Sequence, residues 1–226
     1  MTLSTDITRP LILFGGTFDP VHNAHIRCAL AVSERFENTP VQLLPNAAPP
    51  HRDTPMTEGL HRLAMLKLAC AEFPALQIND WELRQSGLSY SIQTLEHFRK
   101  EIGECPLILL IGADSFATLH TWHRWQDFAA LCHLVVAPRP GAESPTNAVL
   151  EAFPEAPKDM LLRHASGLRL MLSEPTLDMS ATAIRQALAE KGTSPAVNNK
   201  VLDYIHRHHL YNAPLITRTY RTNEDS

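Results

Sequence analysis

The chain has 226 residues, 44% of them hydrophobic and 19% charged, and a net charge of −4. That length holds one α/β domain with a sizeable core, or two small ones at most. The slight acidity argues against a general nucleic-acid or anionic-membrane surface, so an anionic ligand would need a local basic site. No apolar stretch approaches the roughly 20 residues of a membrane span. The polar start MTLSTDITRP lacks the apolar core of a leader peptide, which predicts a cytoplasmic protein. Four scattered cysteines, Cys28, Cys70, Cys105 and Cys132, form no C-x-x-C pair and read as idle thiols rather than a disulfide or metal set.

In chain order, short β-type runs alternate with helical spacing. LILF (11–14) predicts a strand, IRCALAVSERF (26–36) a helix, and VQLLP (41–45) a second strand ending at Pro45. NAAPPHRDTP (46–55) is a proline-rich loop. Thr57 is the expected cap of a helix through about Phe73, with Leu60, Leu63, Ala64, Leu66, Lys67 and Leu68 on a mostly apolar face. LQIND and WELR (76–84) predict extended chain, and Ser91 a cap for the helix IQTLEHFRKEI (92–102).

PLILLIG (106–112) is continuously apolar, as in a strand buried on both faces. FAALC (128–132) predicts a helix and HLVVAPRPG (133–141) a strand running into a loop. Residues 142–165 lack strong periodicity and, with 46–56, are expected to be mobile lids. LRLMLSE (168–174) predicts a strand, Ser180 the opening of a helix that Gly192 ends, and NKVLDYIHRHH (199–209) a last helix. The expected layout is one domain over 1–212, its C-terminal part (180–212) helical, followed by a polar tail (213–226).

Strands alternating with helices imply a parallel sheet built from right-handed crossovers. Ligands bind such sheets at the carboxyl ends of the strands, near the switch point. The loops after Phe14, Pro45, Ile111 and Ala137 all open on that edge.

The first of these loops is the most informative. In LILFGGTFDPVHNAH, Gly15 and Gly16 follow the strand directly and let a ligand approach the backbone. Thr17 offers a hydroxyl and an amide, and a helix begins near Asn23 with free amides that favour phosphate. His22 and His25 are spaced i, i+3 and share one side of its first turn, where two imidazoles can donate to one anion. Gly-Gly fits neither the G-x-G-x-x-G nor the Walker pattern, and H-x-x-H differs from the H-E-x-x-H zinc spacing.

GGTFDPVHNAH resembles the T/H-x-G-H signature of nucleotidyltransferases, in the form found in bacterial-type nicotinate-mononucleotide adenylyltransferases. Ala24 stands where that family commonly has glycine, and its methyl is expected to narrow the room beside the phosphates. LLPNAAPPHR, SYSIQTL, IGADS, TWHRW, VVAPRPG and DMSATAIRQAL resemble further family segments in the family's order, across residues 11 to about 190. Ser91 replaces a usual threonine, and His123 a frequent tyrosine.

The resemblance implies a Rossmann-like doubly wound parallel sheet of the nucleotidyltransferase fold. It implies adenylyl transfer from ATP to nicotinate mononucleotide, releasing pyrophosphate, with Mg2+ arriving on ATP near Asp114 and no fixed protein metal site. It assigns ATP to Gly15, Gly16, Thr17, Phe18, His22, His25, Arg52, Gly112, Asp114, Ser180, Thr182 and Arg185, with His22, His25 and Arg185 catalytic. It assigns the mononucleotide to Asn46, His51, Ser91, Trp122, His123 and Arg139.

The attacking group, a phosphate monoester with a second pKa of about 6, is already ionised at neutral pH, so no protein base is required. Orientation and charge neutralisation carry such a reaction. An anionic ring carboxylate also suits the helix start near Ser91 better than a carboxamide does. Asp114 has the alternatives of accepting from a ribose hydroxyl of ATP and of being an ordinary helix cap, Trp122 and Trp125 of being core, and Arg185 of being a solvated arginine on a capped helix. His206, His208 and His209 read as cations suited to a helix C-terminus rather than as a metal set. The rival functions are adenylyl transfer to another acceptor, such as nicotinamide mononucleotide or phosphopantetheine, and a nucleotide-binding regulator without chemistry. Monomer and dimer both fit.

Overall fold

In a computed structural model of the chain, residues 9–47, 57–85, 89–175 and 179–214 are described. The elements are β1 (Leu11–Gly16), α1 (Asn23–Arg35), β2 (Val41–Pro45), α2 (Gly59–Cys70), β3 (Leu76–Ile78), α3 (Ser91–Ile102), β4 (Leu107–Gly112), α4 (Ala113–Ala117), α5 (Phe128–Leu131), β5 (His133–Ala137), α6 (Asn147–Ala152), α7 (Lys158–Leu161), β6 (Arg169–Met171), α8 (Ala181–Lys191) and α9 (Asn199–Arg207). All six strands pair in parallel, in the order β3-β2-β1-β4-β5-β6. The order reverses between β1 and β4, and that switch opens a crevice at the strands' carboxyl ends.

Because strand side chains alternate, the sheet divides the core in two. Ile12, Phe14, Ile108, Leu110, Val135 and Ala137 face a layer supplied by α1, α2, α8 and α9. Leu13, Leu109, Ile111, Leu134 and Val136 face the layer of α3 and α6, with Phe116 and Phe128 between. Burial on both faces explains why β4 reads as an unbroken apolar run and why β5 is apolar after His133.

Five local expectations are corrected. Glu58, not Thr57, precedes α2, and the buried face of that helix is Arg62, Leu63, Met65, Leu66, Ala69 and Cys70. Leu60 is 75% exposed and Lys67 lies outside the core, so the apolar face is rotated from the one its leucines suggest. Glu82–Arg84 is a turn of 3-10 helix rather than strand. Tyr90 is the cap of α3 and Ser91 its first residue. Residues 142–165 contain α6 and α7, and their fully buried Val149, Phe153 and Leu161 anchor that segment to the core rather than leaving it a loose lid.

Gly192 ends α8 with φ 69°, the left-handed conformation that glycine adopts without strain. All four cysteines are free, and burial pushes the Cys28 and Cys70 thiols up to about 12, which leaves them inert. Ile108 is fully buried at the centre of the sheet. Ile108→Ala is expected to remove about 2–5 kcal/mol of stability, through lost transfer energy plus the cavity left behind. Urea denaturation checks this: the midpoint should fall with an unchanged slope.

Candidate active site

The β1 exit loop lies at the switch point. A Cβ on Gly15 would meet nothing within 4 Å, so that backbone stands open to a ligand. A Cβ on Gly16 would come within 3.0 Å of the Phe18 ring. Phe18 is buried and edge-on to Phe14 and His25, at 5.7 and 5.0 Å. Its ring is therefore a support beneath the loop, which leaves only its backbone for a nucleotide.

His22 is the N-cap of α1, and its backbone N–H donates to His25 Nδ1 at 3.3 Å. With Nδ1 accepting, a neutral His25 carries its proton on Nε2 and can donate there without being charged. The two imidazoles stack with centroids 3.7 Å apart. Ala24 is fully buried in the core, so its methyl does not narrow the site as expected from sequence.

Two further elements hold this loop. Arg185, from α8, donates to the Asp19 carbonyl at 2.8 Å and to Thr182 Oγ1 at 3.2 Å. Tyr211 Oη donates to Asp19 Oδ1 at 2.6 Å. Ser180 Oγ accepts from the Ala183 N–H and caps α8, as its sequence position predicts.

Beneath the loop lies Arg62, only 1% exposed. Its guanidinium donates to the carbonyls of Thr17 (2.7 Å), Asn46 (2.7 Å), Ala47 (3.1 Å) and Thr57 (3.1 Å), and to Asn46 Oδ1 at 3.5 Å. Burial pulls its pKa down, and the Asp19 charge opposes that fall. Five acceptors shared among the three guanidinium nitrogens suit arginine and not lysine. Asn46 Nδ2 in turn donates to Thr17 Oγ1 at 3.4 Å.

Between this clamp and α3 is a cavity of about 360 Å³. Gly15, Gly16, Thr17 and Asn46 line one side, and Ser91, Trp122 and His123 line the other. Trp122 packs edge-on to Phe128 at 6.0 Å, and His123 faces the Tyr90 ring at 4.7 Å. Buried Glu82 forms part of the wall.

The remaining expected residues divide. Gly112 ends β4 and precedes α4, so Asp114 is the second residue of that helix and not its cap. Arg139 does not line the cavity: its guanidinium sits 3.5 Å from Asp114 Oδ2 and 3.4 Å from the Met179 carbonyl. It therefore lies between Asp114 of α4 and Met179, just before α8. His51 and Arg52 lie outside the described residues. Among the described residues no group of three or more His, Cys, Asp or Glu side chains is placed to hold a metal. His206 Nε2 donates to the Gly192 carbonyl at 2.6 Å, and the His208 ring packs on Tyr204 at 4.2 Å.

Sequence reasoning missed Arg62, Glu82, Tyr90 and Tyr211. Only Arg62 left a usable trace: it falls on the 62-65-66-69 stripe of buried positions in α2, where a charge demands partners. Arg62→Lys keeps the charge but not the five-way fork, and should cost about 1.5–3 kcal/mol of stability. Chemical denaturation checks it; a change within about 0.5 kcal/mol, the range of ordinary surface substitutions, would show that the loops hold without the fork.

Comparison with known proteins agrees with this geometry. Residues 13–187 match the Cytidylyltransferase-like family. A Pseudomonas fluorescens protein named "Probable nicotinate-nucleotide adenylyltransferase" is 43% identical over 207 residues, covering 89% of this chain and 97% of that one. An Idiomarina loihiensis protein of the same name is 36% identical, covering 88% and 98%. The solved structure of Plasmodium falciparum nicotinic acid mononucleotide adenylyltransferase complexed with NaAD has a TM-score of 0.73 over 92% of this chain and 100% of that one; at 16% identity this speaks for the fold alone. With the cavity and the paired histidines meeting at one switch-point loop, and relatives of this likeness along most of its length, the chain belongs to the Cytidylyltransferase-like family and, within it, to the nicotinate-nucleotide adenylyltransferases.

Proposed function

We propose that this protein transfers the adenylyl group of ATP to nicotinate mononucleotide, releasing pyrophosphate and forming nicotinate adenine dinucleotide for NAD biosynthesis. The observation that carries this reading is the placement of two unlike half-sites on either side of Gly15–Thr17. A flat-walled cavity with Trp122 lies on one side, and the His25 and Arg185 donors with the capped start of α8 lie on the other.

In this reading the pyridine ring enters the cavity against Trp122, and its carboxylate turns toward the free amides at the start of α3. ATP lies over Gly15, Gly16 and Gly112, its phosphates toward His22, His25, Ser180, Thr182 and Arg185. The mononucleotide phosphate, already ionised, attacks the α-phosphorus in line while pyrophosphate departs toward those donors. His25 donates through Nε2 to the charge that builds on the transferring group, and the guanidinium of Arg185 neutralises it further. No side chain forms a bond to either substrate. Arg139, paired with Asp114 outside the cavity, keeps its expected role of pairing with the mononucleotide phosphate.

Mg2+ enters as part of its substrate, Mg·ATP. Asp114, expected near that Mg2+, is paired with Arg139. No helix among the described residues is long and apolar enough to cross a membrane, and the free cysteines suit a reducing, cytoplasmic setting.

The test is product formation. Incubation with Mg·ATP and nicotinate mononucleotide should yield pyrophosphate and the dinucleotide in equal amounts, with the carboxamide nucleotide a poorer acceptor. Binding of ATP without turnover would refute the reading. His25→Ala should lower kcat/KM by about 10²–10³, the usual cost of one well-placed donor to a developing charge. A fall of less than threefold would remove His25 from the assigned role.

A further inference from the structure

Glu82 is a buried carboxylate for which the proposed chemistry has no use. It begins the 3-10 turn after β3 and is 7% exposed. Both its oxygens are engaged: Thr94 Oγ1 donates to Oε1 at 2.8 Å, and Ser89 Oγ donates to Oε2. Ser89 lies just before α3 and Thr94 in its first turn; Tyr90, the cap, and Ser91, the first helical residue, stand between them on the cavity wall. One carboxylate thus spans the start of the helix whose free amides face the expected ring carboxylate. Through Tyr90 it also bears on His123, whose ring lies 4.7 Å away. A buried carboxylate is costly, and only well-made hydrogen bonds offset that cost. Here those bonds fix the rim of the cavity.

We propose that Glu82 is a positioning residue for the mononucleotide substrate: by holding Ser89 and Thr94 it sets the direction of the α3 amides and of the Tyr90–His123 pair. The proposal rests on reading the cavity as the mononucleotide site. Because Glu82 acts from the α3 side, the ATP half-site at His25, Ser180 and Arg185 is independent of it. Burial raises the Glu82 carboxyl above the ordinary carboxylate range. Its ionisation therefore costs stability as pH rises through that raised value, a cost that Glu82→Gln does not carry.

The experiment compares wild type, Glu82→Ala, Glu82→Gln and Thr94→Val, with KM measured separately for each substrate and the binding of nicotinate mononucleotide by calorimetry. Glu82→Ala should raise KM and Kd for the mononucleotide about 10- to 100-fold, as expected for charge-assisted hydrogen bonds lost, and leave KM for ATP within about twofold. Glu82→Gln should recover most of the loss, since an amide of the same size accepts from one hydroxyl and donates to the other. Thr94→Val, which removes one hydroxyl at constant shape, should shift the mononucleotide KM in the same direction. An unchanged mononucleotide KM in Thr94→Val or Glu82→Ala overturns the proposal. So does an equal rise for both substrates, or a Glu82→Gln variant as impaired as Glu82→Ala. Failure of the wild type to make the dinucleotide overturns the cavity assignment itself and is thereby told apart.

Discussion

Arg62 carries a positive charge into the interior, and the two loops that meet over it are the ones that form the site. A buried guanidinium is tolerated only where every N–H finds an acceptor. Here the acceptors are main-chain carbonyls of the β1 exit (Thr17), the β2 exit (Asn46, Ala47) and the approach to α2 (Thr57). Those carbonyls belong to no sheet ladder, and the fork of one arginine supplies what the ladder would have. The separation of the β1 and β2 loops, and with it one wall of the cavity, follows from the dimensions of that fork.

The same device recurs on the other side of the crevice. Glu82 gathers two hydroxyls at the start of α3, and Asp19 gathers the Tyr211 hydroxyl through its carboxylate and Arg185 through its carbonyl. Each is a charged or polar group placed under a loop and satisfied by it. The consequence is a preorganised edge: backbone amides and side-chain donors are held in place before the substrates arrive, which is what transfer between two anions demands. Flexible lysines at the same positions would supply charge but not direction.

Much of this architecture was legible in the residues. The continuous apolar run of β4, the alternation of strands with helices and the Gly15–Gly16 break pointed to the parallel sheet and its switch-point loop, and Ser180 and Gly192 marked both ends of α8. What sequence could not show was set by distant partners. Arg139 follows β5 in the expected place, and Asp114, in the helix after β4, is the partner its guanidinium meets. Ala24 differs from a common glycine, but helix phase turns its methyl into the core. Tyr211 lies 192 positions from Asp19 and its contact carries no local signal. Glu82 sits in WELR, which alternates like a strand, and only the hydroxyls of Ser89 and Thr94 explain why a carboxylate is buried there.

The central claim is that fixed donors align two anionic nucleotides for a single displacement, with the protein never bonded to either. The stereochemistry at the transferred phosphorus decides it. With ATP made chiral at the α-phosphorus by sulfur substitution, one in-line displacement by the mononucleotide phosphate predicts inverted configuration in the dinucleotide. Retained configuration would mean two displacements through an adenylylated side chain, and would contradict the account.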